Sequence, residues 1–241
     1  MLYLIGLGLE KKDISLRAME AVKKCKFVYL DIYTNIFHYK IKDIEKIINK
    51  KIINASRQLI EENEEIIKNA KKSNVALIVS GDPLAATTHI DIMLRARKEK
   101  IKVEIIHAPS IFTAISETGL QLYKFGKTAS IPKWAGNFRP ESFFDIIQDN
   151  LKIKAHSLVL IDIGMSVNEA LAELMEVANK RKSDLKEIII GEKLGTEKSR
   201  IFAESIEKLM KMKFELPACI IIPSELHFME AEAIKLNKKN K

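Results

Sequence analysis

The chain has 241 residues, a length that suits one large or two small α/β domains. Of these residues 47% are hydrophobic and 30% charged, with only 9 Gly and 6 Pro, a composition that excludes a disordered chain. No apolar run approaches the ~20 residues that cross a bilayer, so no membrane partner is expected, and a count of 2 cysteines favours a reducing, cytoplasmic setting. The net charge of +8 allows an acidic or nucleic-acid partner, or simply reflects a Lys-rich composition. No aromatic residues alternate with the basic ones as an RNA-stacking surface requires, so nucleic acid is not expected.

The first half alternates strand-like and helix-like segments. The predicted strands are Leu2–Leu7, Phe27–Tyr33, Lys51–Ala55, Val75–Ser80 and Val103–His107. The predicted helices are Ser15–Lys24, Ile41–Asn49, Arg57–Lys72 and Thr88–Lys100. Such βα units favour a parallel sheet with helices on both faces. The N-terminus lacks the basic flank and cleavage site of a signal peptide, so we interpret it as the first strand.

A second α/β domain is predicted after Pro109, which gives domains 1–109 and 110–241. Strands are expected in "KTASIP", "HSLVLIDIG", "KEIIIGEKLG", "SRIFAE" and "ACIIIPS". Helices are expected from Pro109 to Gly119 and at Pro140–Leu151, Ser166–Lys180, Ser205–Lys211 and His227–Lys238. Only "EKLGTEKS" separates the third and fourth of these strands, which predicts an antiparallel hairpin and therefore a mixed C-terminal sheet.

Two glycines, Gly6 and Gly8, follow the first strand and resemble the start of a dinucleotide-binding fingerprint. That fingerprint needs a third glycine where Lys11 stands, so a Rossmann site is not expected. The two glycines therefore have two possible roles, a close approach of the backbone to a ligand or a simple strand-to-helix turn. Asp13 or Ser15 is the expected N-cap of the following helix.

The strand "VALIVS" ends in a loop that contains Asp82 and two alanines, Ala85 and Ala86. It is no phosphate-binding loop, because no GK[ST] follows, and it offers no third ligand for a metal. One carboxylate, small residues and hydroxyls suit a zwitterionic or hydroxyl-bearing small molecule. Since ligands bind beyond the carboxyl ends of parallel strands, we expect this loop and the Gly6–Gly8 loop to serve one site. Thr88 is the expected cap of the next helix.

Further segments each have an ordinary structural interpretation when taken alone. Ser110 and Ile111 enter a helix, Asp162 to Gly164 end a strand, and His227 begins a helix. Together and in order, "LYLIGLGL", "VYLDIYT", "VSGDPLAATTHIDIMLRA", "GLQLYKFGKTASIP", "FRPESFFD", "LIDI" and "ELHFMEAEAI" resemble the diphthine synthases of the tetrapyrrole-methylase superfamily. The resemblance covers nearly the whole chain, and "GDPLAATTHIDIMLRA" with "GLQLYKFG" is its most specific part.

The resemblance implies two α/β domains, a mostly parallel N-terminal sheet and a mixed C-terminal one, with a cofactor bound in the cleft between them. It implies methyl transfer from S-adenosyl-L-methionine, released as S-adenosyl-L-homocysteine, to the amino group of a modified histidine on translation elongation factor 2. A homodimer is implied as well. The number of methyl groups added stays open.

The cofactor-binding residues implied by the matching motifs come from six segments. They are Leu9, Asp82, Ala85, Ser110, Ile111, Ile163, Ala203 and His227. The family often has "AGT" where this chain has Ala203-Glu204-Ser205, and eukaryotic members carry an insertion after the equivalent of Ile163. No metal is expected, and no catalytic residue is assigned.

The chemistry needs in-line placement and a neutral amine. Asp82 or His227 are candidates to accept the amine proton, and we assign Asp82 to cofactor binding instead. The alternatives are a methyltransferase of the same fold acting on a tetrapyrrole or ribosomal RNA, and a non-catalytic binding module. The latter predicts a degenerate cofactor loop, whereas Gly6, Gly8, Gly81, Asp82 and Pro83 are all present.

Overall fold

The computed structural model describes residues 1–34, 36, 37 and 39–239, with side chains described as far as residue 237. The chain divides into two compact units, Met1–Phe112 (unit 1) and Thr113–Lys241 (unit 2). The domain boundary predicted from the sequence lies slightly earlier, after Pro109.

Unit 1 is built around a sheet of 5 parallel strands in the order β3-β2-β4-β1-β5. The strands are β1 (Leu2–Gly6), β2 (Phe27–Asp31), β3 (Ile53–Ala55), β4 (Val75–Val79) and β5 (Val103–Ile106). The helices are α1 (Leu16–Lys23), α2 (Ile41–Ile48), α3 (Arg57–Glu61), α4 (Glu65–Lys72) and α5 (Ile90–Lys98). The parallel sheet predicted for this half is therefore confirmed.

Alternate residues of the central strands enter different cores on the two faces of this sheet. Leu4 and Leu77 pack into one core, while Ile5 and Ile78 pack into the other. Every residue of β4 is buried. Fully burying each such aliphatic side chain stabilises the fold by roughly 1.5–3 kcal/mol, which explains the unbroken apolar runs.

Unit 2 contains a mixed sheet of 5 strands in the order β6-β7-β10-β8-β9. The strands are β6 (Ala129–Ile131), β7 (Ser157–Ile161), β8 (Ile188–Glu192), β9 (Arg200–Glu204) and β10 (Ala218–Ile222). The helices are α6 (Ile111–Ala114), which begins in unit 1, α7 (Ser142–Lys152), α8 (Val167–Lys180), α9 (Ile206–Leu209) and α10 (Phe228–Lys239). Strands β6 and β7 are parallel and the other pairs antiparallel, so the predicted hairpin of β8 with β9 and the mixed sheet are confirmed.

Three local predictions are wrong. The single helix predicted at Arg57–Lys72 is two helices, because the side chain of Asn63 accepts a hydrogen bond from the Glu65 N–H at 2.8 Å and starts a new helix. The helix after Pro109 changes to a 3₁₀ turn at Ile115–Thr118. Thr88 does not cap α5, because its hydroxyl contacts Glu61 and Tyr33 instead.

Candidate functional site

The loops after β1 and β4 are joined at the carboxyl edge of the unit 1 sheet. Gly8 and Gly81 exchange backbone hydrogen bonds of 3.2 and 2.7 Å, and both adopt positive φ, at 79° and 71°. A Cβ on Gly6 would lie 2.6 Å from the Gly81 carbonyl oxygen, so a side chain there would push the loops apart. The two glycine-containing loops that the sequence singles out therefore lie side by side.

Asp13 holds the loop after β1. Its Oδ2 accepts the N–H groups of Leu9 at 3.0 Å and Glu10 at 2.9 Å. Ser15, and not Asp13, caps α1 through a bond from the Ala18 N–H. Leu9 is partly buried, and its N–H is already satisfied, which leaves its side chain and carbonyl group for other contacts.

Asp82 connects the loop after β4 to the segment after β5. Its Oδ1 accepts the Leu84 N–H at 3.0 Å, and its Oδ2 accepts the Ala108 N–H at 3.2 Å. The same Oδ2 lies 2.7 Å from Nδ1 of His107. The Asp82 side chain is 13% exposed and that of His107 is 69% exposed. Asp82 was predicted from the sequence, whereas His107 was not, because its only local signal is its position directly after a strand.

The other candidates of unit 1 lie close to Asp82. The Ala85 N–H bonds to the Asp82 carbonyl oxygen at 3.2 Å and closes a turn. Ser110 is buried, and its Cβ is 3.7 Å from the position that a Cβ on Gly81 would occupy. Ile111 follows as the first residue of α6 and is partly buried. The structure thus brings Asp82, Ala85 and Ser110 together at one edge of the sheet.

A buried pair, Asp31 and His89, supports the same loop from the end of β2. Asp31 is 1% and His89 0% exposed, and Oδ2 and Nε2 are 3.3 Å apart. Burial alone would raise the pKa of Asp31, but the contact with His89 and hydrogen bonds from Thr34 and the Tyr33 N–H lower it below its usual value. His89 also immediately precedes α5, so the pair ties the end of the Gly81–His89 loop to β2.

Unit 2 carries the remaining candidates. Ile163 follows β7 with a 46% exposed side chain, and Asp162 beside it accepts the Lys133 N–H at 3.2 Å. Ala203 is buried in β9 opposite Ile189, so its side chain is unavailable to a ligand. His227 is exposed and directly precedes α10.

The segment of His227 is held by a fully buried carboxylate, Glu230. Its Oε2 accepts hydrogen bonds from the His227 N–H at 2.7 Å and from Nζ of Lys124 at 2.5 Å. Its Oε1 accepts the Gln121 N–H at 2.9 Å and lies 3.2 Å from Nε2 of His156. Burial alone would raise the pKa of Glu230, but these hydrogen bonds lower it to about 2. Glu230 is therefore ionised and acts as the central acceptor of this cluster.

His156 is neutral and has a defined tautomer in this cluster. Its Nδ1 accepts the Ser224 N–H at 2.8 Å, so the proton is on Nε2, which donates to Glu230. Burial lowers the pKa of His156, and the carboxylate only partly opposes that effect. Glu230 was not predicted from the sequence, because Gln121, Lys124 and His156 approach it from positions far away along the chain.

Comparisons with known proteins identify the family. Residues 1–210 match the model of the tetrapyrrole (corrin/porphyrin) methylases. The chain is 41% identical to a diphthine synthase of Methanococcus vannielii, and the match covers 98% of both chains. It is 36% identical to a diphthine methyl ester synthase of Schizosaccharomyces pombe, and that match covers 98% of this chain and 93% of the relative. A crystal structure of a diphthine synthase superposes with a TM-score of 0.91 at 32% identity, covering 99% of this chain and 96% of that one.

The chain belongs to the diphthine synthases. The family resemblance drawn from the motifs and the predicted fold class are confirmed. This diphthine synthase is an S-adenosylmethionine-dependent methyltransferase of diphthamide biosynthesis. Within the residues that the structure describes, no helix is long and apolar enough to cross a membrane, and no group of three His, Cys, Asp or Glu side chains is placed to hold a metal ion.

Proposed function

We propose that this diphthine synthase transfers methyl groups from S-adenosyl-L-methionine to the amino group of the modified histidine precursor of diphthamide on translation elongation factor 2. The observation that carries the proposal is similarity over 98% of the chain to a diphthine synthase at 41% identity. One relative's name denotes diphthine and another's its methyl ester. The number of methyl groups transferred by this chain is therefore a quantity to be measured.

In unit 1, the proposed cofactor contacts are Leu9, Asp82, Ala85, Ser110 and Ile111. S-adenosylmethionine presents an ammonium, a carboxylate and ribose hydroxyls, and this edge offers a carboxylate, a serine hydroxyl and the clearance of an alanine. A carboxylate has about four lone-pair sites, and the contacts from Leu84, Ala108 and His107 use three of those of Asp82. One site remains for a donor of the ligand, which suits Asp82 as its anionic contact.

In unit 2, we propose cofactor contacts by Ile163, Ala203 and His227. Ile163 offers an exposed apolar surface suited to a nucleobase. Ala203 is limited to backbone contacts, because its side chain is buried. His227 offers an exposed imidazole held in place by the bond from its N–H to Glu230.

When bound, S-adenosylmethionine supplies a methyl group on a sulfonium, which is already a good leaving group. The protein then has to hold the acceptor in line and keep its amine neutral. Orientation of two bound reactants contributes up to roughly 7–11 kcal/mol to lowering such barriers in favourable cases. The hydrogen bonds of Asp82 in unit 1 and of Glu230 in unit 2 fix segments that carry proposed cofactor contacts, and are suited to that task.

Elongation factor 2 is the proposed protein substrate, and we propose that the enzyme acts as a homodimer in the cytoplasm. Ile90 and Leu94 lie one turn apart on α5 and are 56% and 47% exposed, which gives a candidate dimer surface. Cys25 and Cys219 are free thiols, in keeping with a reducing compartment. Light scattering should report a dimer, and Leu94→Glu should shift it towards monomer. A monomeric wild-type protein at micromolar concentration would contradict the dimer.

The deciding experiment incubates the enzyme with labelled cofactor and either precursor-bearing elongation factor 2, ribosomal RNA or a tetrapyrrole. Mass spectrometry of the factor should show added methyl groups on the modified histidine and give their number. Label only in the RNA or the tetrapyrrole would refute the assigned acceptor. Failure to bind S-adenosylhomocysteine in calorimetry would favour a non-catalytic module.

A further inference from the structure

His107 has the geometry of an imidazole that a carboxylate orients for proton transfer. Its Nδ1 lies 2.7 Å from Oδ2 of Asp82, and its ring is 69% exposed. An ionised carboxylate can only accept hydrogen bonds, so beside one a neutral imidazole carries its proton on Nδ1 and keeps the lone pair of Nε2. A base held by a third group in this way is a recurring arrangement in group-transfer enzymes.

Asp82 is fixed well enough to orient the ring. Its two oxygens accept N–H groups from Leu84 in one loop and Ala108 in another, which leaves the carboxylate little freedom to rotate. Ala108 is the residue next to His107, so the same carboxylate holds both the backbone and the side chain of this segment. Ser110 follows in the same segment and lies beside Gly81.

Among the described residues, Asp82 is the charged group that lies within hydrogen-bond distance of the His107 ring. Glu104, on the strand β5 that precedes His107, pairs with Arg17 at 2.9 Å. Asp13 and Asp31 accept N–H groups of their own loops. Asp82 is thus the side chain that orients the His107 ring.

We propose that His107 is the general base of the methyl transfer and that Asp82 positions it. The inference rests on the proposed function, because only a protonated amine acceptor requires a base. Nε2 takes a proton from the ammonium of the acceptor, and the N–H electron pair stays on the amine nitrogen. That pair forms the bond to the methyl carbon as the carbon–sulfur pair returns to sulfur. The proton on Nε2 passes to solvent, and the methylated ammonium loses its next proton in the same way.

The test compares His107→Gln with the wild type and with Lys102→Gln, a matched change at an exposed residue before the opposite end of β5. Single-turnover methylation of precursor-bearing elongation factor 2 should slow by about 10²–10⁴-fold in His107→Gln, the usual contribution of a general base. The rise of the rate with pH should move to higher pH, where the amine loses its proton unaided. Added imidazole should restore part of the rate. Lys102→Gln should behave as wild type.

Two measurements do not depend on turnover. The dissociation constant of S-adenosylhomocysteine should change less than about twofold in His107→Gln, because the ring serves the acceptor and not the cofactor. At a pH where the His107 ring is neutral, the ¹⁵N spectrum of the wild type should show a protonated Nδ1 and an unprotonated Nε2.

The proposal is overturned by a His107→Gln rate within threefold of wild type, by an unshifted pH profile, or by a ring protonated on Nε2 alone. A large loss of cofactor affinity would make His107 a binding residue and also overturn it. A wild-type enzyme that binds S-adenosylhomocysteine but leaves the factor unmethylated would refute the proposed function itself, a result that differs from all of these.

Discussion

Replacing Glu230 by Gln isolates the role of its charge, because the substitution keeps the size of a fully buried side chain. The two oxygens of Glu230 each face two donors: Gln121 and His156 at Oε1, and Lys124 and His227 at Oε2. A Gln side chain carries an NH₂ group on one side. In either orientation, that group meets two donors and can accept from neither.

The cost follows from those contacts. Hydrogen bonds to a charged group contribute about 1.5–3 kcal/mol each, and breaking a buried charge pair costs about 3–5 kcal/mol. Because the remaining amide oxygen still accepts from two donors, we expect Glu230→Gln to lower the free energy of unfolding of unit 2 by about 3–5 kcal/mol. The affinity for S-adenosylhomocysteine should fall as well, since the His227 segment loses its anchor.

Urea unfolding followed by tryptophan fluorescence measures this cost in the right unit, because the chain has 1 Trp and Trp134 lies in unit 2. Glu232→Gln is the matched control, as Glu232 is exposed on the same helix, and such surface changes stay within about 0.5 kcal/mol. If Glu230→Gln loses less than about 1 kcal/mol and binds the cofactor product unchanged, the account of Glu230 as a charged anchor is wrong.

Gly8→Ala should destabilise unit 1 by more than the strain of a left-handed backbone, which costs about 1–2 kcal/mol, because φ is +79° and the new Cβ would collide with the Cβ of Asp13. The control Gly164→Ala, at φ +81° in open space, should cost the strain alone. Equal losses of stability in thermal unfolding of the two variants would contradict the collision. The hydrogen bonds of Asp31 hold its pKa below the usual value despite burial. The ionised Asp31 therefore stabilises the fold at pH values above the unfolded pKa of about 3.9, and this stabilisation is lost as the pH falls through the folded pKa. Asp31→Asn should therefore flatten the acid side of the stability–pH curve, and an unchanged slope would count against this. Burial raises the pKa of Cys219 to about 12, so iodoacetamide should label it only after unfolding at about pH 8; rapid labelling of the native protein would show that the site opens.

Local patterns predicted the strands of unit 1 because burial on both faces demands continuous apolar sequence. The predicted ends of β1 and β4 lie within a residue of the observed ones. The break between α3 and α4 was missed because it depends on one side chain, Asn63, that competes with the helix for a backbone N–H. Periodicity does not register such competition, since the apolar positions on both sides of the break remain in phase with one helix.

The same distinction between local and long-range features decides which candidate site residues could be predicted from the sequence. Asp82 was found from the sequence because a carboxylate after a buried strand and a glycine is a local feature. His107 was missed because its significance depends on Asp82, which lies 25 residues away in the sequence. Glu230 was missed for the same reason, as its bonds to Lys124 and Gln121 span 106 and 109 residues. Contacts of this length are created by the sheet topology and leave no periodic signal in either segment.

Each unit places a carboxylate behind a segment that carries candidate cofactor contacts, and surrounds it with donors from other segments. In unit 1, Asp82 receives N–H groups from two loops, and in unit 2, Glu230 receives donors from three segments. An unpaired buried charge costs several kcal/mol, so the carboxylate is stable only when all of its donors are in place. This requirement penalises any displacement of one loop without the others. A neutral apolar contact would hold the same loops with less directional preference, because dispersion and hydrophobic burial change gradually as the surfaces slide. The carboxylates therefore explain how the segments that carry Ser110 and His227 keep fixed positions, each within its own unit.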